Sequence, residues 1–571
     1  MHDFDLIKRL IADLRPYKYF LTLGLILYVP LTLLNVLQPV IIGWAVSYGM
    51  LNGSFEKIIS FALLFLLVVG LLAIVEWGQG YFLQVVGQSL IKDLRQKAFK
   101  KVQHLQMGFL DNTPVGKIIT RLTNDAESAA ELFSMGAIQI VGDLLFLAGT
   151  FVMLFFVDLH LSFYSMMILP ILFLGIYFFR NWTKRAFISV RGVLSNLNAY
   201  LQEYLSGIAT VQGAGRLQDS AHEFKKFNQE YLVANRQAIL LESAIYSFVD
   251  ALSYCASAAV LWGAFNLKQD SVLAIGVVVA FLEALSRFFQ PIRELSNRFA
   301  VFQSAMVSLD RIYQLLEWPE EDDEAQEHKA HFNSEIEFSQ ISFAYQNGKR
   351  VLHNVNLKIK KGEHIALVGR TGAGKSTIIK LLNRFYQLSE GKIFIDGKDL
   401  NHMSLRDVRT LISVVPQEVF LFQGTIKDNL SFAKKNVSDE EIWQALHTVQ
   451  LEALIQKRGG LLAAVEVRGL NFSVGERQLL AFARALIANP PIIVLDEATA
   501  SIDARTEWRL QKATKKLLED RTALIIAHRL ATVMDCDRIV VFDKGQIAEQ
   551  GTHQQLIAKD GIYAHSLRLQ K

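Results

Sequence analysis

The sequence predicts an all-α membrane domain followed by an α/β domain. Of the 571 residues, 51% are hydrophobic, and most of this hydrophobicity lies in residues 1–310. Several segments there reach the roughly 20 mainly apolar residues that a membrane span requires. From residue 335 onwards, β-branched strand patterns alternate with helical patterns. That alternation is typical of an α/β domain with a largely parallel sheet.

Six membrane spans are expected in the first domain. They lie at about 19–47, 58–84, 134–157, 160–179, 244–267 and 271–290. The segments 85–133 and 180–243 between them are long, charged and helix-patterned, with Lys and Arg next to the membrane. Because such positive segments remain on the cytoplasmic side, we expect both termini and the α/β domain in the cytoplasm. Since no organelle-targeting segment is evident, a multi-pass protein of a bacterial inner (cell) membrane is the default expectation.

We expect the transmembrane domain to cover 1–316, an acidic linker to cover 317–334 and the α/β domain to cover 335–571. The first twenty residues read as an amphipathic helix at the membrane surface. A net charge of +4 is too small to indicate nucleic acid as a partner, and two cysteines are too few for a disulfide framework.

The segment GRTGAGKST (369–377) follows the apolar strand HIALVG and begins a helical pattern. It fits the phosphate-binding loop formula, in which glycines let backbone N–H groups turn toward phosphate at a helix N-terminus. Lys375 would neutralise the β- and γ-phosphates, and Ser376 would bind Mg²⁺. The expected nucleotide contacts in this loop are Gly369, Arg370, Thr371, Gly372, Ala373, Gly374, Lys375, Ser376 and Thr377.

Two acidic residues end the later apolar strand IIVLDEATASID (492–503). Ligands of open α/β sheets bind at the carboxyl ends of the strands, so a carboxylate there can reach a nucleotide. Asp496 is the expected Mg²⁺ partner, and Glu497 is placed to activate an attacking water as a general base. A lone Asp-Glu pair is often only a solvated strand end, but the upstream loop favours ATP and Mg²⁺.

The order of the phosphate loop, VVPQEVF, NFSVGERQ, VLDEATASID and IIAHRL resembles an ATP-binding-cassette protein, and the six spans resemble an exporter half-transporter. The resemblance covers nearly the whole chain. It implies that Gln417 contacts Mg²⁺, that Asp503 lies in a dimer contact, and that His528 reaches the γ-phosphate during catalysis. Tyr345 matches the position that stacks on adenine.

The resemblance also implies a dimer, because each ATP would lie between the loop of one chain and the signature segment of another. FLDNTPVGKIITRLTNDA (109–126) and EYLSGIATVQGAG (203–215) resemble the two cytoplasmic loops that couple the membrane and nucleotide domains. Without the cassette, each of these loops reads as an ordinary amphipathic helix.

Ionisable residues inside spans are costly and usually face a cavity or a partner. Glu76, Asp143, Asp250, Glu283 and Arg287 qualify. Glu283 and Arg287 are four residues apart, which favours a salt bridge over a substrate contact. Asp143 and Asp250 could lie near the cytoplasmic ends of their spans. Glu76 is expected to be the most interior, and an excess of acids would suit hydrophobic cations.

The predicted function is ATP-driven export of hydrophobic or amphipathic compounds, of the multidrug type, by alternating access. A lipid flippase of the same family is one alternative. A membrane regulator or channel that binds ATP without turnover is another, and Glu497 argues against it. The expected partners are a second half-transporter, the lipid bilayer and a hydrophobic small-molecule or lipid substrate.

The signature segment departs from the family consensus Leu-Ser-Gly-Gly-Gln. Ser473 and Gly475 are retained, but Val474 adds a branched side chain and Glu476 a negative charge near the phosphate, so both should weaken the closed site. Just upstream, Val467 occupies the place where the family has a glutamate. Since the other ATP-site motifs are intact, we expect a heterodimer with a partner of complementary defects, although a homodimer stays open.

Overall fold

The computed structural model describes residues 3–50, 55–134, 136–266, 272–321, 331–345, 348–434, 436–496, 504–527 and 530–570. The chain forms two compact units. The first comprises Met1–Gln103 and Gly116–Trp318, and the second comprises His104–Val115 and Pro319–Lys571. The short segment His104–Val115 therefore leaves the helical unit in the middle of its sequence and belongs to the α/β unit.

Within the described residues, six helical stretches are long and apolar enough to cross a membrane, which confirms the predicted number of spans. They are Arg15–Tyr48, Phe55–Gln103, Val115–Val157, Leu159–Ser206, Leu217–Asn266 and Ile275–Glu317. The last five have 43 to 50 residues. The continuous helices Phe55–Gln103 and Leu217–Asn266, of 49 and 50 residues, measure about 75 Å at roughly 1.5 Å per residue, more than twice the hydrocarbon core of a bilayer. The charged segments predicted between the spans are thus largely continuations of the same helices.

The α-helices of the first part of the chain, with the short helix of the second unit, are Asp3–Asp13, Lys18–Ile26, Tyr28–Trp44, Phe55–Gln103, Met107–Asn112, Val115–Thr120, Ala126–Ser134, Ala137–Val157, Leu159–Met166, Leu169–Ser206, Ile208–Gly213, Leu217–Asn266 and Val272–Glu317. Short 3₁₀ or π segments occur at Arg15–Tyr17, Ala45–Met50 and Arg121–Asp125. Each of the two predicted coupling loops contains a six-residue helix, Met107–Asn112 and Ile208–Gly213.

The amphipathic helix expected at the N-terminal end is Asp3–Asp13. Leu6, Leu10 and Leu14 are buried in an apolar cluster with residues of the second and sixth long helices, such as Leu90 and Leu309. One apolar stripe of this helix therefore packs inside the protein. Sequence periodicity records an apolar face but not whether protein or lipid covers it.

In the described part of the second unit, twelve strands form the sheets. They are β1 (Glu335–Ala344), β2 (Arg350–Lys360), β3 (His364–Gly369), β4 (Glu390–Ile395), β5 (Lys398–Asp399), β6 (Ile412–Val415), β7 (Gly424–Thr425), β8 (Ala464–Val465), β9 (Ile492–Asp496), β10 (Thr522–Ile526), β11 (Arg538–Asp543) and β12 (Gln546–Gly551). The segments LKIKKGEHIALVG and RIVVFDKGQIAEQG form two strands each. Turns at Gly362 and Gly545, both with φ near +80°, divide them.

The main sheet of this unit has six strands in the order β12-β11-β3-β10-β9-β6. All neighbouring pairs are parallel except β11 with β12. This confirms the α/β fold with a largely parallel sheet. A second, antiparallel sheet has the order β2-β1-β4-β5 and shares one apolar core with a face of the main sheet.

The α-helices of the second unit beyond residue 319 are Lys375–Leu382, Leu405–Leu411, Ile426–Ser431, Asp439–Thr448, Glu452–Lys457, Val474–Ala488, Ala504–Leu518, Leu530–Met534, His553–Ala558 and Ile562–Gln570. Below, Lys375–Leu382 is called the phosphate helix, Val474–Ala488 the signature helix and Met107–Asn112 the loop helix.

Candidate nucleotide site and membrane cavity

The parallel pairing brings several predicted site segments to one edge of the main sheet. Ile526 at the end of β10 pairs with Leu367 of β3 and with Asp496 of β9. On the far side, Leu495 pairs with Val415 at the end of β6. The phosphate loop after β3, Asp496, and Gln417 two residues after β6 therefore leave the sheet at the same carboxyl edge. Ligands of open α/β sheets bind at this edge.

The phosphate loop depends on glycine at its first and last positions. Gly369 has φ +150°, and a Cβ atom there would lie 2.2 Å from the carbonyl oxygen of Phe542. Gly374 has φ +102° and is the N-cap of the phosphate helix. Both conformations are unfavourable for residues with a Cβ atom. The loop consequently returns in a tight path to the N-terminus of the phosphate helix, the end of a helix that favours anions.

Lys375 folds back over this loop. Its Nζ donates to the carbonyl oxygens of Gly369 at 2.6 Å and of Arg370 at 3.0 Å, and only 6% of the residue is exposed. Burial lowers the pKa of Lys375 below its usual value, and the charge of Asp496 opposes that shift. A buried ammonium that is held by two carbonyls favours a nearby anion, because the anion would compensate its lost hydration.

The remaining predicted residues differ in exposure. Ser376 and Gln417 are exposed, Asp496 is half-buried and Thr377 is buried. Ser473 is exposed and Gly475 is buried at the start of the signature helix. Glu497, Asp503 and His528 lie outside the described residues, so their predicted roles stay predictions.

Tyr345, the predicted adenine-stacking residue, follows β1 and lies against the phosphate helix. Its hydroxyl is 3.1 Å from Oγ1 of Thr377. Its ring makes an edge contact with Tyr386, with centroids 5.1 Å apart, and Nζ of Lys380 lies 5.8 Å from the Tyr345 centroid. Sequence analysis did not single out Tyr386 or Lys380. Neither belongs to a motif, and only the fold brings them beside Tyr345.

The same two side chains hold the loop helix. Asp111 accepts a hydrogen bond of 2.5 Å from the Tyr386 hydroxyl and one of 2.9 Å from Nζ of Lys380. Burial works to raise the pKa of Asp111, but these bonds outweigh it and hold the pKa below its usual value. Asp111 of the predicted coupling segment is thus held by Tyr386 and Lys380, the same two side chains that lie beside Tyr345.

The signature segment is locally ordered around a capping box at the start of the signature helix. Ser473 and Glu476 form a capping box: the Glu476 N–H donates to Oγ of Ser473 at 3.2 Å, and the Ser473 N–H donates to Oε2 of Glu476 at 2.9 Å. Nη2 of Arg458 also contacts this carboxylate oxygen, at 3.1 Å. Arg458, 18 positions earlier, therefore compensates the charge of Glu476, and the predicted effect of that charge on the closed site stays a prediction.

The first unit contains a polar cavity of about 430 Å³ between three of its long helices. Its lining residues are Tyr28, Leu31, Asn35, Gln139, Gly142, Asp143, Phe146, Arg287, Gln290, Pro291, Glu294 and Arg298. Arg287, Glu294 and Arg298 follow one face of the helix Val272–Glu317 at spacings of seven and four residues. The cavity therefore combines aromatic surface with a row of charged groups.

The intramembrane charges differ in burial and in pairing. Glu76 is exposed in the chain and does not line the cavity, whereas Asp143 is buried and lies 2.7 Å from Arg298. Asp250 is paired with Arg293. The predicted Glu283–Arg287 salt bridge is confirmed at 2.9 Å, and Arg287 also donates to Gln38. Composition gives the number of charges, but only helix packing decides which of them are buried.

Both parts of the chain match models of one protein family. The ABC transporter transmembrane region matches residues 21–292, and the ABC transporter nucleotide-binding model matches residues 352–500. Together with the sheet edge and the six membrane helices, these matches define the class: a membrane transporter driven by an ATPase domain. The chain belongs to the ABC transporter family, and it carries a transmembrane and a nucleotide-binding domain in one half-transporter.

Individual relatives agree with this assignment. A probable multidrug resistance ABC transporter ATP-binding/permease protein, YheH of Bacillus subtilis, is 36% identical over 87% of this chain and 74% of its own length. A fatty acid ABC transporter ATP-binding/permease protein of Mycobacterium bovis is 31% identical over 87% and 79%. A solved bacterial Atm1-family ABC exporter with ATP bound is similar with a TM-score of 0.77, 26% identity and coverage of 98% and 99%.

These findings fix the general activity. The chain is an ATPase coupled to transport and has the fold of an Atm1-family exporter. It binds ATP, is a multi-pass membrane protein and works as a dimer.

Proposed function

We propose that this chain is one half of a dimeric exporter that moves hydrophobic or amphipathic compounds across a bacterial inner membrane. The observation that carries the proposal is the shared sheet edge, where the phosphate loop, Asp496 and the segment of Gln417 meet. ATP binding would close two nucleotide domains, the loop helices would move, and the membrane cavity would change its access. Hydrolysis would reset the transporter.

The proposed roles at the nucleotide follow from chemistry and position. The backbone of residues 369–377 would bind the phosphates, with Lys375 as the cation, and Tyr345 would stack on adenine. Ser376, Gln417 and Asp496 offer a hydroxyl, an amide and a carboxylate oxygen, the hard ligands that Mg²⁺ prefers together with nucleotide phosphates. Glu497 would act as the general base, His528 would contact the γ-phosphate, and Asp503 would lie at the dimer contact.

We propose a heterodimer as the form of the dimer. Glu476 no longer supports this choice, because Arg458 compensates its charge. Val474 and Val467 do support it: both are about half exposed, at 50% and 56%, on the segment where the family places glycine and glutamate. A partner with a consensus signature would complete this chain's own phosphate loop. If the chain expressed alone purified as a fully active homodimer, the heterodimer proposal would be wrong.

The cargo class rests on the cavity. Its mixture of aromatic and charged lining suits an amphiphile with a polar head, rather than a simple hydrophobic cation. One relative is named as a multidrug resistance protein and another as a fatty acid transporter. Drug-like amphiphiles are the first candidates, and lipids, as in a flippase, are the second. Stimulation of the ATPase activity by drugs or by lipids separates the two.

The decisive experiment measures ATPase activity of the purified transporter in lipid nanodiscs, with Glu497→Gln as the control. We expect wild-type activity well above that of the variant, and uptake of amphiphilic dyes into inverted vesicles that depends on ATP. Wild-type activity no higher than the variant's would contradict the transporter proposal. It would favour an ATP-binding regulator or channel without turnover.

A further inference from the structure

The fifth position of the signature segment poses an electrostatic problem. Glu476 is the third residue of the signature helix, and the N-terminus of this helix is the end that favours anions. An uncompensated carboxylate there would repel the phosphate that Ser473 and Gly475 are proposed to contact. The chain must therefore compensate Glu476 or accept weaker nucleotide binding.

One oxygen of the Glu476 carboxylate accepts two hydrogen bonds. This oxygen, Oε2, accepts from the Ser473 N–H at 2.9 Å and from Nη2 of Arg458 at 3.1 Å. The side chains of Arg458 and Glu476 are 31% and 19% exposed, so the pair is partly shielded from water. As an acceptor from the Glu476 N–H, the Ser473 hydroxyl still has its own hydrogen to donate.

Arg458 is itself held in place by the signature segment. Nη1 donates to the carbonyl oxygen of Asn471 at 2.7 Å, and the guanidinium lies 4.3 Å from the centroid of the Phe472 ring. Phe472 is only 3% exposed, so its ring is a fixed surface for the cation. The guanidinium of Arg458 thus contacts Asn471, Phe472 and Glu476, three of the six residues of the segment 471–476.

The position of Arg458 is determined by the preceding helix. It caps the C-terminus of Glu452–Lys457, an end that favours cations, and Gly459 and Gly460 follow with φ +106° and +82°. These two residues turn the chain sharply, so that the arginine stays beside the helix end while the backbone moves away. The cation is therefore anchored independently of Glu476.

We propose that Arg458 is a positioning residue for ATP hydrolysis: it neutralises Glu476 and keeps the capping box closed, so that Ser473 and the N–H of Gly475 face the phosphate of ATP. The proposal rests on the function proposed above for the signature segment, and it adds a residue outside every recognised motif. Arg458 and Glu476 act together: without the arginine, the charge of the glutamate would weaken the binding of ATP.

A double-mutant cycle tests the proposal on the full-length transporter in nanodiscs. At the ATP site that this chain's signature segment completes, Arg458→Gln should raise the KM for ATP about tenfold, the factor equivalent to about 1.4 kcal/mol, with a smaller change in kcat. Glu476→Gln keeps a capping box, because glutamine also forms one, and it removes the charge that repels phosphate, so the KM should not rise above that of wild type. Arg458→Gln/Glu476→Gln should return the KM to within about twofold of wild type, since the repelling charge is removed.

Two further variants separate positioning from folding. Arg458→Lys keeps the charge and should rescue part of the KM. Lys457→Gln removes the same charge from the adjacent exposed position and should leave the KM unchanged. Thermal unfolding is measured for every variant. A double variant as impaired in KM as Arg458→Gln, or an unchanged KM in Arg458→Gln, would overturn the proposal, since Arg458 would then act only as a structural contact.

A readout without turnover distinguishes this inference from the proposed function. In the Glu497→Gln background, Mg·ATP should raise the unfolding temperature, and Arg458→Gln should shift the ATP concentration for half of that rise about tenfold upward. No such shift overturns the role of Arg458. Wild-type ATPase activity equal to the Glu497→Gln background contradicts the proposed function instead, and this binding measurement still tests the arginine.

Discussion

Asp111 of the loop helix accepts a 2.5 Å hydrogen bond from the hydroxyl of Tyr386, whose ring lies 5.1 Å from that of Tyr345. Tyr345, which is proposed to stack on adenine, therefore contacts Tyr386, which holds Asp111 of the coupling segment. Asp111→Asn removes the charge that attracts Lys380 and should weaken this contact by about 1 kcal/mol, given its partial exposure. We expect transport per ATP hydrolysed to fall about fivefold, measured in proteoliposomes.

Two variants control this result. Tyr386→Phe removes only the hydroxyl and should produce a smaller decrease of the same kind. Asp439→Asn breaks another carboxylate–lysine pair of the second unit, with Lys427, and should leave the transport ratio unchanged. Equal transport ratios in Asp111→Asn and wild type would contradict a coupling role for the contact.

The Asp111–Tyr386 contact should not titrate near neutral pH. Because the pKa of Asp111 is held below 3.8, the contact is fully present above that value and is lost only as the pH falls through the lower folded-state pKa. Burial and the bond to Asp111 raise the pKa of Tyr386 above 10.0, so its hydroxyl stays protonated. The ratio of transport by wild type and Tyr386→Phe should be constant from about pH 5 to about pH 9. A collapse of that ratio near neutral pH would contradict this.

Local patterns predicted the parts of the fold in which neighbours in sequence decide the structure. The six spans, the parallel strands and the segment from Gly369 to Lys375 depend on apolar periodicity and on a short formula. The partners of Asp111 could not be predicted, because Tyr386 lies 275 positions away. Arg458 was missed for a similar reason: a pair 18 residues apart has no period that a helix or strand pattern would reveal.

Gly369 should not tolerate a side chain. Its φ of +150° disfavours any L-residue, and a Cβ atom would lie 2.2 Å from the carbonyl oxygen of Phe542, its neighbour across the sheet. We expect Gly369→Ala to destabilise the protein by about 3 kcal/mol or more, from backbone strain and the clash with main chain. It should also abolish the rise in unfolding temperature that Mg·ATP produces.

Gly397→Ala is the matched control for this variant. Gly397 also has a positive φ, +75°, but a Cβ atom there would meet nothing within 4 Å. The substitution should cost only the conformational strain of about 1–2 kcal/mol and leave the Mg·ATP response intact. If both variants lost stability equally and still responded to Mg·ATP, the close approach of Gly369 to Phe542 would not be important for the loop.

In the membrane unit, losing the cation of the buried Asp143–Arg298 pair should lower the stability more than losing that of the exposed Asp250–Arg293 pair. The side chains of Asp143 and Arg298 are only 10% and 16% exposed, and Arg298 also binds Glu294 at 2.5 Å. Arg298→Gln leaves the buried carboxylate of Asp143 without its cation and should destabilise the unit by about 3–5 kcal/mol, measured by thermal unfolding in detergent. Arg298→Gln/Asp143→Asn should recover part of this loss, because an amide pair can stay hydrogen-bonded without a net charge.

Arg293→Gln breaks the more exposed pair with Asp250, at 30% and 45%, and should cost only about 1 kcal/mol. Equal losses in Arg298→Gln and Arg293→Gln would mean that burial does not decide which intramembrane charges must remain paired.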